Sequence, residues 1–243
     1  MRAIFLKEIN SFFSGIIGYL VIGVFLVVNG LFLWVFQGDF NIFDYGFANL
    51  SSFFNIAPWI FVFLIPAISM RSFSEEKKQG TLEMLLTKPL SARQLILGKY
   101  FGNLVLVLLA LLPTLLYVLT IDQLGKPTGN FDIGSTLGSY LGLIFLGGVF
   151  TAIGLFASSL SRNQIVAFIS AVLLCFLCFF AFKGLSDTAL LGSDIYAPEY
   201  LGIRFHYESI SRGVVDTRDV VYFLSLIVLF LALTRISLTT SRR

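Results

Sequence analysis

Residues 15–36 read GIIGYLVIGVFLVVNGLFLWVF, and no charge interrupts them. A helix rises 1.5 Å per residue, so a run of roughly 20 apolar residues crosses the ~30 Å hydrocarbon core of a bilayer. This run is too long for the apolar core of a signal peptide, and no small-x-small cleavage site follows it, so it reads as a retained anchor. Five further runs of the same kind lie near Ala48–Met70, Gly98–Ile121, Thr136–Leu160, Gln164–Phe182 and Val220–Leu238. They are continuous rather than alternating, which excludes a membrane β-barrel. The fold expected is an all-α integral membrane protein with six transmembrane helices. Pro58 and Pro66 in the second run and Pro113 in the third predict kinks.

Composition agrees. Of 243 residues 57% are apolar and only 13% charged, with a mean hydropathy of +0.88. A soluble domain carries about 25% charge and cannot hide so much apolar surface. A net charge of +3 is too weak for a phosphate-binding face, so nucleic acid is not an expected partner. Two cysteines cannot staple a secreted miniprotein.

Charge sets the orientation. One side collects the N-terminus, residues 71–97 with Lys99, the 161–163 turn and the C-terminus, and holds 12 basic and 4 acidic residues. The other side holds 5 basic and 10 acidic residues. By the positive-inside rule the first side is cytoplasmic, which places both termini there. Residues 1–14 gather Ile4, Phe5, Ile9, Phe12 and Phe13 near one helical face, with Lys7, Glu8 and Asn10 largely opposite. That pattern suits a helix lying in the membrane interface; the alternative is a frayed basic N-terminus.

Chemistry within the chain is sparse. A single His, His206, excludes a histidine-based zinc site, and no metal is expected. Gly98-Lys99 is followed by Tyr100 and Gly125-Lys126 by Pro127, with Arg93 and Thr120 where a phosphate loop needs its first glycine, so no P-loop is present. Cys175 and Cys178 read as buried thiols of the fifth run rather than a redox pair. Ionisable groups deep in the runs are nearly absent, which weakens a secondary-carrier reading. Asn29, Asn55 and Asn103 are the polar exceptions. Gly98-x-x-x-Gly102 and Gly138-x-x-x-Gly142 mark helix-packing faces, within the chain or between copies. The Phe residues of the runs, Phe25, Phe32, Phe61 and Phe150 among them, read as packing or lipid-facing groups rather than a substrate path.

The most informative stretch is Arg71–Leu97, RSFSEEKKQGTLEMLLTKPLSARQLIL. Ser74 is expected to cap a short helix with Glu75 and Glu76 in its first turn. Leu82, Leu85 and Leu86 share a face, Pro89 ends the helix, and Ser91 caps another that leads into the third run. Such a helix is either a solvated connector or a knob that docks on a soluble partner.

Phe73-Ser-Glu-Glu-Lys-Lys-Gln-Gly-Thr-Leu-Glu-Met-Leu-Leu-Thr-Lys-Pro-Leu-Ser, with Leu97-Gly-Lys-Tyr100, resembles the signature of ABC-2 type transporter permeases. The turn Ser158–Gln164 and the segment Phe205–Phe223, around Ser211-Arg-Gly-Val-Val-Asp216, are similar to theirs as well. Within the family the likeness is nearest to the gliding-motility-associated permease subunit. The resemblance covers essentially the whole chain and implies a single ABC-2 type transmembrane domain over residues 1–243. It includes an interfacial helix at 1–14, a cytoplasmic coupling segment at 71–97, and an outer helical segment at 184–218 between spans five and six.

The resemblance further implies a permease subunit that is not an enzyme and binds no cofactor itself. A separate cytoplasmic ABC ATPase would hold ATP and Mg and dock on the coupling segment, where Glu75, Glu76, Gly80, Thr81, Glu83, Leu86 and Pro89 fall. It implies transport, as export or as drive for a gliding-motility or secretion machinery. The expected place is the bacterial inner membrane, as a multi-pass protein in the lipid bilayer. A companion membrane subunit with an extracytoplasmic domain, or a second permease copy, is expected beside it. The competing reading is an ATP-independent membrane scaffold or secondary carrier.

Overall fold

The computed structural model describes residues 1–46, 49–82, 91–126, 131–187 and 199–240. They form helices joined by short turns, with no strand among them. Six helical stretches are long and apolar enough to cross a membrane: Ile16–Val35, Ser51–Lys78, Ala92–Leu124, Ile133–Leu160, Gln164–Ser186 and Thr217–Thr239. All six expected runs are present. The second and third differ most from expectation, because helix continues past Met70 and begins at Ala92, ahead of Gly98.

In chain order, α1 (Arg2–Phe13) precedes α2 (Ile16–Gly30), which runs on through a π-helical turn at Leu31–Val35. After the short α3 (Ile42–Tyr45) come α4 (Ser51–Ser69) and α5 (Arg71–Lys78). α6 (Ala92–Leu111) passes through a 3-10 turn containing Pro113 into α7 (Leu115–Leu124). α8 (Ile133–Leu160) is followed by α9 (Gln164–Phe176), a π-helical turn at Leu177–Ala181, and α10 (Phe182–Asp187). A 3-10 turn at Glu199–Leu201, α11 (Ile203–Ser211) and α12 (Thr217–Thr240) complete the described chain.

α8 is the axis of the bundle. Along its most apolar stretch 78% is buried, whereas the Thr217–Thr239 stretch of α12 is 17% buried. α4, α5, α6, α9, α11 and α12 all pack on α8. Small residues make this approach possible. A Cβ at Gly147 would lie 2.9 Å from Val107 of α6, one at Gly148 3.0 Å from the Tyr100 hydroxyl, and one at Gly154 would fall on Ser69 of α4. Around this axis Phe61, Ile65, Val107, Leu146, Val149 and Phe150 are fully buried. Phe32, Phe36 and Phe63 point outward, so the aromatic side chains divide between packing and the outer surface.

Several polar donors inside the bundle are answered locally. Thr151 and Thr234 hydroxyls donate one turn back, to Gly147 and Phe230 carbonyls, and Asn29 Nδ2 donates to the Phe25 carbonyl at 2.7 Å. Asn103 instead bonds across helices, donating to Ser72 Oγ at 2.9 Å. Asn55 is exposed. Cys175 is buried, Cys178 is half-buried, and both are free.

Candidate functional site

α1, α5, the last turns of α12 and the 161–163 turn meet at one end of the bundle. Ser237 Oγ and Lys77 Nζ both donate to the Ser159 carbonyl there. This terminal end carries the charge cluster that the sequence places between 71 and 99.

α5 begins directly where α4 ends, and its first-turn amides need acceptors. They find one on α8. Ser158 Oγ accepts from the Phe73 amide at 3.0 Å and the Ser74 amide at 3.1 Å, and donates to the Met70 carbonyl at 2.8 Å. A side chain inserted into the helical ladder in this way offsets the helix. Ser74 is therefore not the N-cap expected from sequence. It lies inside α5, fully buried, with its hydroxyl donating to the Met70 carbonyl. Glu75 and Glu76 consequently fall in the second turn of α5 rather than the first.

The two glutamates separate. Glu75 stays partly exposed, accepts from Gln79 Nε2 at 3.3 Å, and lies 3.6 Å from Arg71 Nε. Glu76 is buried and turns inward. Its Oε1 lies 2.9 Å from Lys99 Nζ of α6 and 3.5 Å from Lys7 Nζ of α1. Lys99 also reaches Glu8 Oε1 of α1 at 2.8 Å and sits 5.2 Å from the centre of the Phe73 ring. Lys99 is 2% exposed, Glu8 8% and Glu76 8%. Two carboxylates thus share one buried ammonium, and the exposed Lys7 completes the charge balance. Glu76 Oε2 is buried without a hydrogen-bond partner among the described residues.

Glu8 departs from expectation. Placed opposite the apolar face by periodicity, it belongs to the buried stripe Ile4, Glu8, Phe12 of α1. The stripe follows the glycines of α6: a Cβ at Gly98 would lie 2.9 Å from Ile4, and one at Gly102 2.7 Å from Glu8 Cβ. Gly98-x-x-x-Gly102 seats the N-terminal helix of the same chain. Gly80, at φ +70, ends α5 in the left-handed conformation that glycine adopts without strain. Thr81 donates to the Glu76 carbonyl, and Leu82 is buried. Glu83, Leu86 and Pro89 lie outside the described residues, as does Leu85. Ser91 caps α6 through a reciprocal box with Gln94, as its sequence position predicts. A cleft of about 480 Å³ opens between α1 and α5, with Lys7, Arg71, Glu75 and Gln79 among its walls.

The opposite end is closed by α11. Gly138 and Gly142 of α8 lie against it, the first beneath the Ile210 carbonyl and Gly213, the second 3.0 Å from the Tyr207 ring by its would-be Cβ. His206 Nδ1 is 2.6 Å from Asp219 Oδ1 of α12, its Nε2 is 3.0 Å from the Tyr200 carbonyl, and its ring stacks on Tyr222. Asp219 is 4% exposed. Arg204 and Glu208 pair on the outer surface of α11. No group of three or more His, Cys, Asp or Glu among the described residues is placed to hold a metal.

Six helices long and apolar enough to cross a membrane define a polytopic membrane protein. A family model described as ABC-2 family transporter protein matches residues 33–241, and the chain belongs to that family. Its members are membrane subunits that normally pair with a cytoplasmic ABC ATPase. The protein is accordingly a multi-pass membrane protein. No curated protein matched the chain.

Proposed function

We propose that this chain is the permease subunit of an ABC transporter complex and converts ATP binding and hydrolysis in a partner into movement of its spans. The observation that carries the reading is the fixation of α5, which is joined to α8 through Ser158 and to α6 through Lys99. A push on a segment so held is passed to the spans rather than absorbed by a floppy loop. The ATPase would carry ATP and Mg and dock on residues 71–97. The exposed Lys78, Gln79, Gly80, Ser91, Arg93 and Gln94, with the partly exposed Glu75, are among the described residues able to meet it. The 12-to-5 bias of basic residues supports both termini being cytoplasmic, and the family resemblance supports a bacterial inner-membrane location. Six spans are half of a twelve-span core, so a companion membrane subunit or a second copy completes the transporter. The likeness to gliding-motility permeases supports drive of a motility or secretion machinery, or export, as the work done.

The test is isolation of the native complex through a tag on this chain, with its subunits identified by mass spectrometry. An ABC ATPase is expected at stoichiometric yield, and Lys78→Glu with Gln79→Glu is expected to reduce it. An active complex without any ATPase replaces this reading by the ATP-independent scaffold or carrier.

A further inference from the structure

Glu8, Glu76 and Lys99 come from α1, α5 and α6, three elements separated by long stretches of chain, and one ammonium binds both carboxylates. We infer that Lys99 is a positioning residue that makes α1 follow α5, so that the N-terminal helix is part of the lever worked by the ATPase. This rests on the permease reading above.

Three observations carry it. First, the cluster is little exposed: Lys99 is 2% exposed and each glutamate 8%, at the inner wall of the cleft between α1 and α5. Separating an ion pair is far harder in such surroundings than on a surface. Secondly, α1 has no room to slide on α6. Ile4 and Glu8 occupy the space that side chains at Gly98 and Gly102 would fill, and such close packing moves as a block. Thirdly, α1 is not an extension of α2. Gly15 between them is extended, at φ −114 and ψ 176, which breaks the helix axis. α1 is therefore placed by its packing on α6 and α2 and by the ion cluster. Its outward face, with Arg2, Leu6 and Asn10 exposed, is the surface that would be displaced at the membrane interface.

The experiment uses the native complex in nanodiscs, without nucleotide and with ATP plus orthovanadate, followed by hydrogen–deuterium exchange. In the wild type, exchange in 71–82 and in 2–13 is expected to change several-fold together. In the combined variant Glu8→Gln, Glu76→Gln, Lys99→Met no charge is stranded. There the response of 71–82 is expected to remain and that of 2–13 to vanish. A wild type in which 71–82 respond and 2–13 do not overturns the inference and leaves the permease reading standing. A variant in which 2–13 still respond overturns the role of Lys99. Silence of both segments in the wild type overturns the permease reading and the inference with it. The wild-type comparison decides even where the variant fails to assemble, because it needs no mutation.

Discussion

The Tyr207 hydroxyl of α11 donates to the Phe54 carbonyl of α4 across 2.8 Å. Phe54 stands four residues before Pro58, so the amide that would have bonded this carbonyl does not exist. A kink-prone proline in one span is thus answered by a tyrosine 149 positions later in sequence. Burial pushes the Tyr207 phenol above its ordinary range.

Tyr207→Phe leaves the Phe54 carbonyl buried and unpaired and should cost about 1–3 kcal/mol. The thermal midpoint in detergent measures it. Pro58→Ala restores an amide in the right place, so the same tyrosine change should cost less in that background. Equal costs in both backgrounds would show that the bond does not compensate the proline.

Lys99→Met by itself strands two buried carboxylates and should cost about 3–5 kcal/mol. Adding Glu8→Gln and Glu76→Gln should recover most of that loss. Yield and thermal midpoint of the single and triple variants make the comparison; a triple variant no better than the single one contradicts a shared-ammonium cluster.

Gly102→Ala puts a methyl group 2.7 Å from Glu8 Cβ. Overpacking of this kind costs typically about 1–3 kcal/mol, and here α1 should lift. Limited proteolysis after Lys7 is expected to speed up, while Gly23→Ala, whose added carbon meets nothing within 4 Å, should leave it unchanged.

His206→Phe keeps a ring over Tyr222 but leaves Asp219, 4% exposed, without its partner. The thermal midpoint should fall, and exchange in residues 199–211 should rise ahead of the rest of the chain. Protection of 199–211 equal to wild type would remove the His206–Asp219 contact as the clasp of that segment.

The spans were legible because length and continuity of apolar residues survive any tertiary arrangement. Leu160 and Gln164, where the fourth and fifth apolar runs meet the Ser161-Arg-Asn turn, are also the helix boundaries. The Ser91 cap was legible for a similar reason, since both its partners lie within four residues. The cluster at the terminal end was not. Glu8 lies on the polar side of α1 by periodicity, and only a lysine 91 positions away gives it reason to turn inward. Lys99 was counted with the charges of one side, whereas helix begins at Ala92 and buries it. Ser74 carries the right residue type for a cap, but α5 already begins at Arg71, and Ser158, 84 positions on, takes the Phe73 and Ser74 amides of that helix. The π-helical turns at 31–35 and 177–181 leave no trace in apolar periodicity, because an all-round apolar helix looks the same in either winding.

Ser158 has one proton and two lone pairs, and all three are engaged: the proton by Met70, the lone pairs by the Phe73 and Ser74 amides. A hydroxyl with no spare valence admits no competing water and no gradual slip. Any displacement of α5 along α8 leaves amides or a carbonyl open in a dry interior, which is costly at every intermediate distance. The joint between the second span and its terminal extension is therefore held against gradual slip, and small thermal jostling of the bundle does not unseat it.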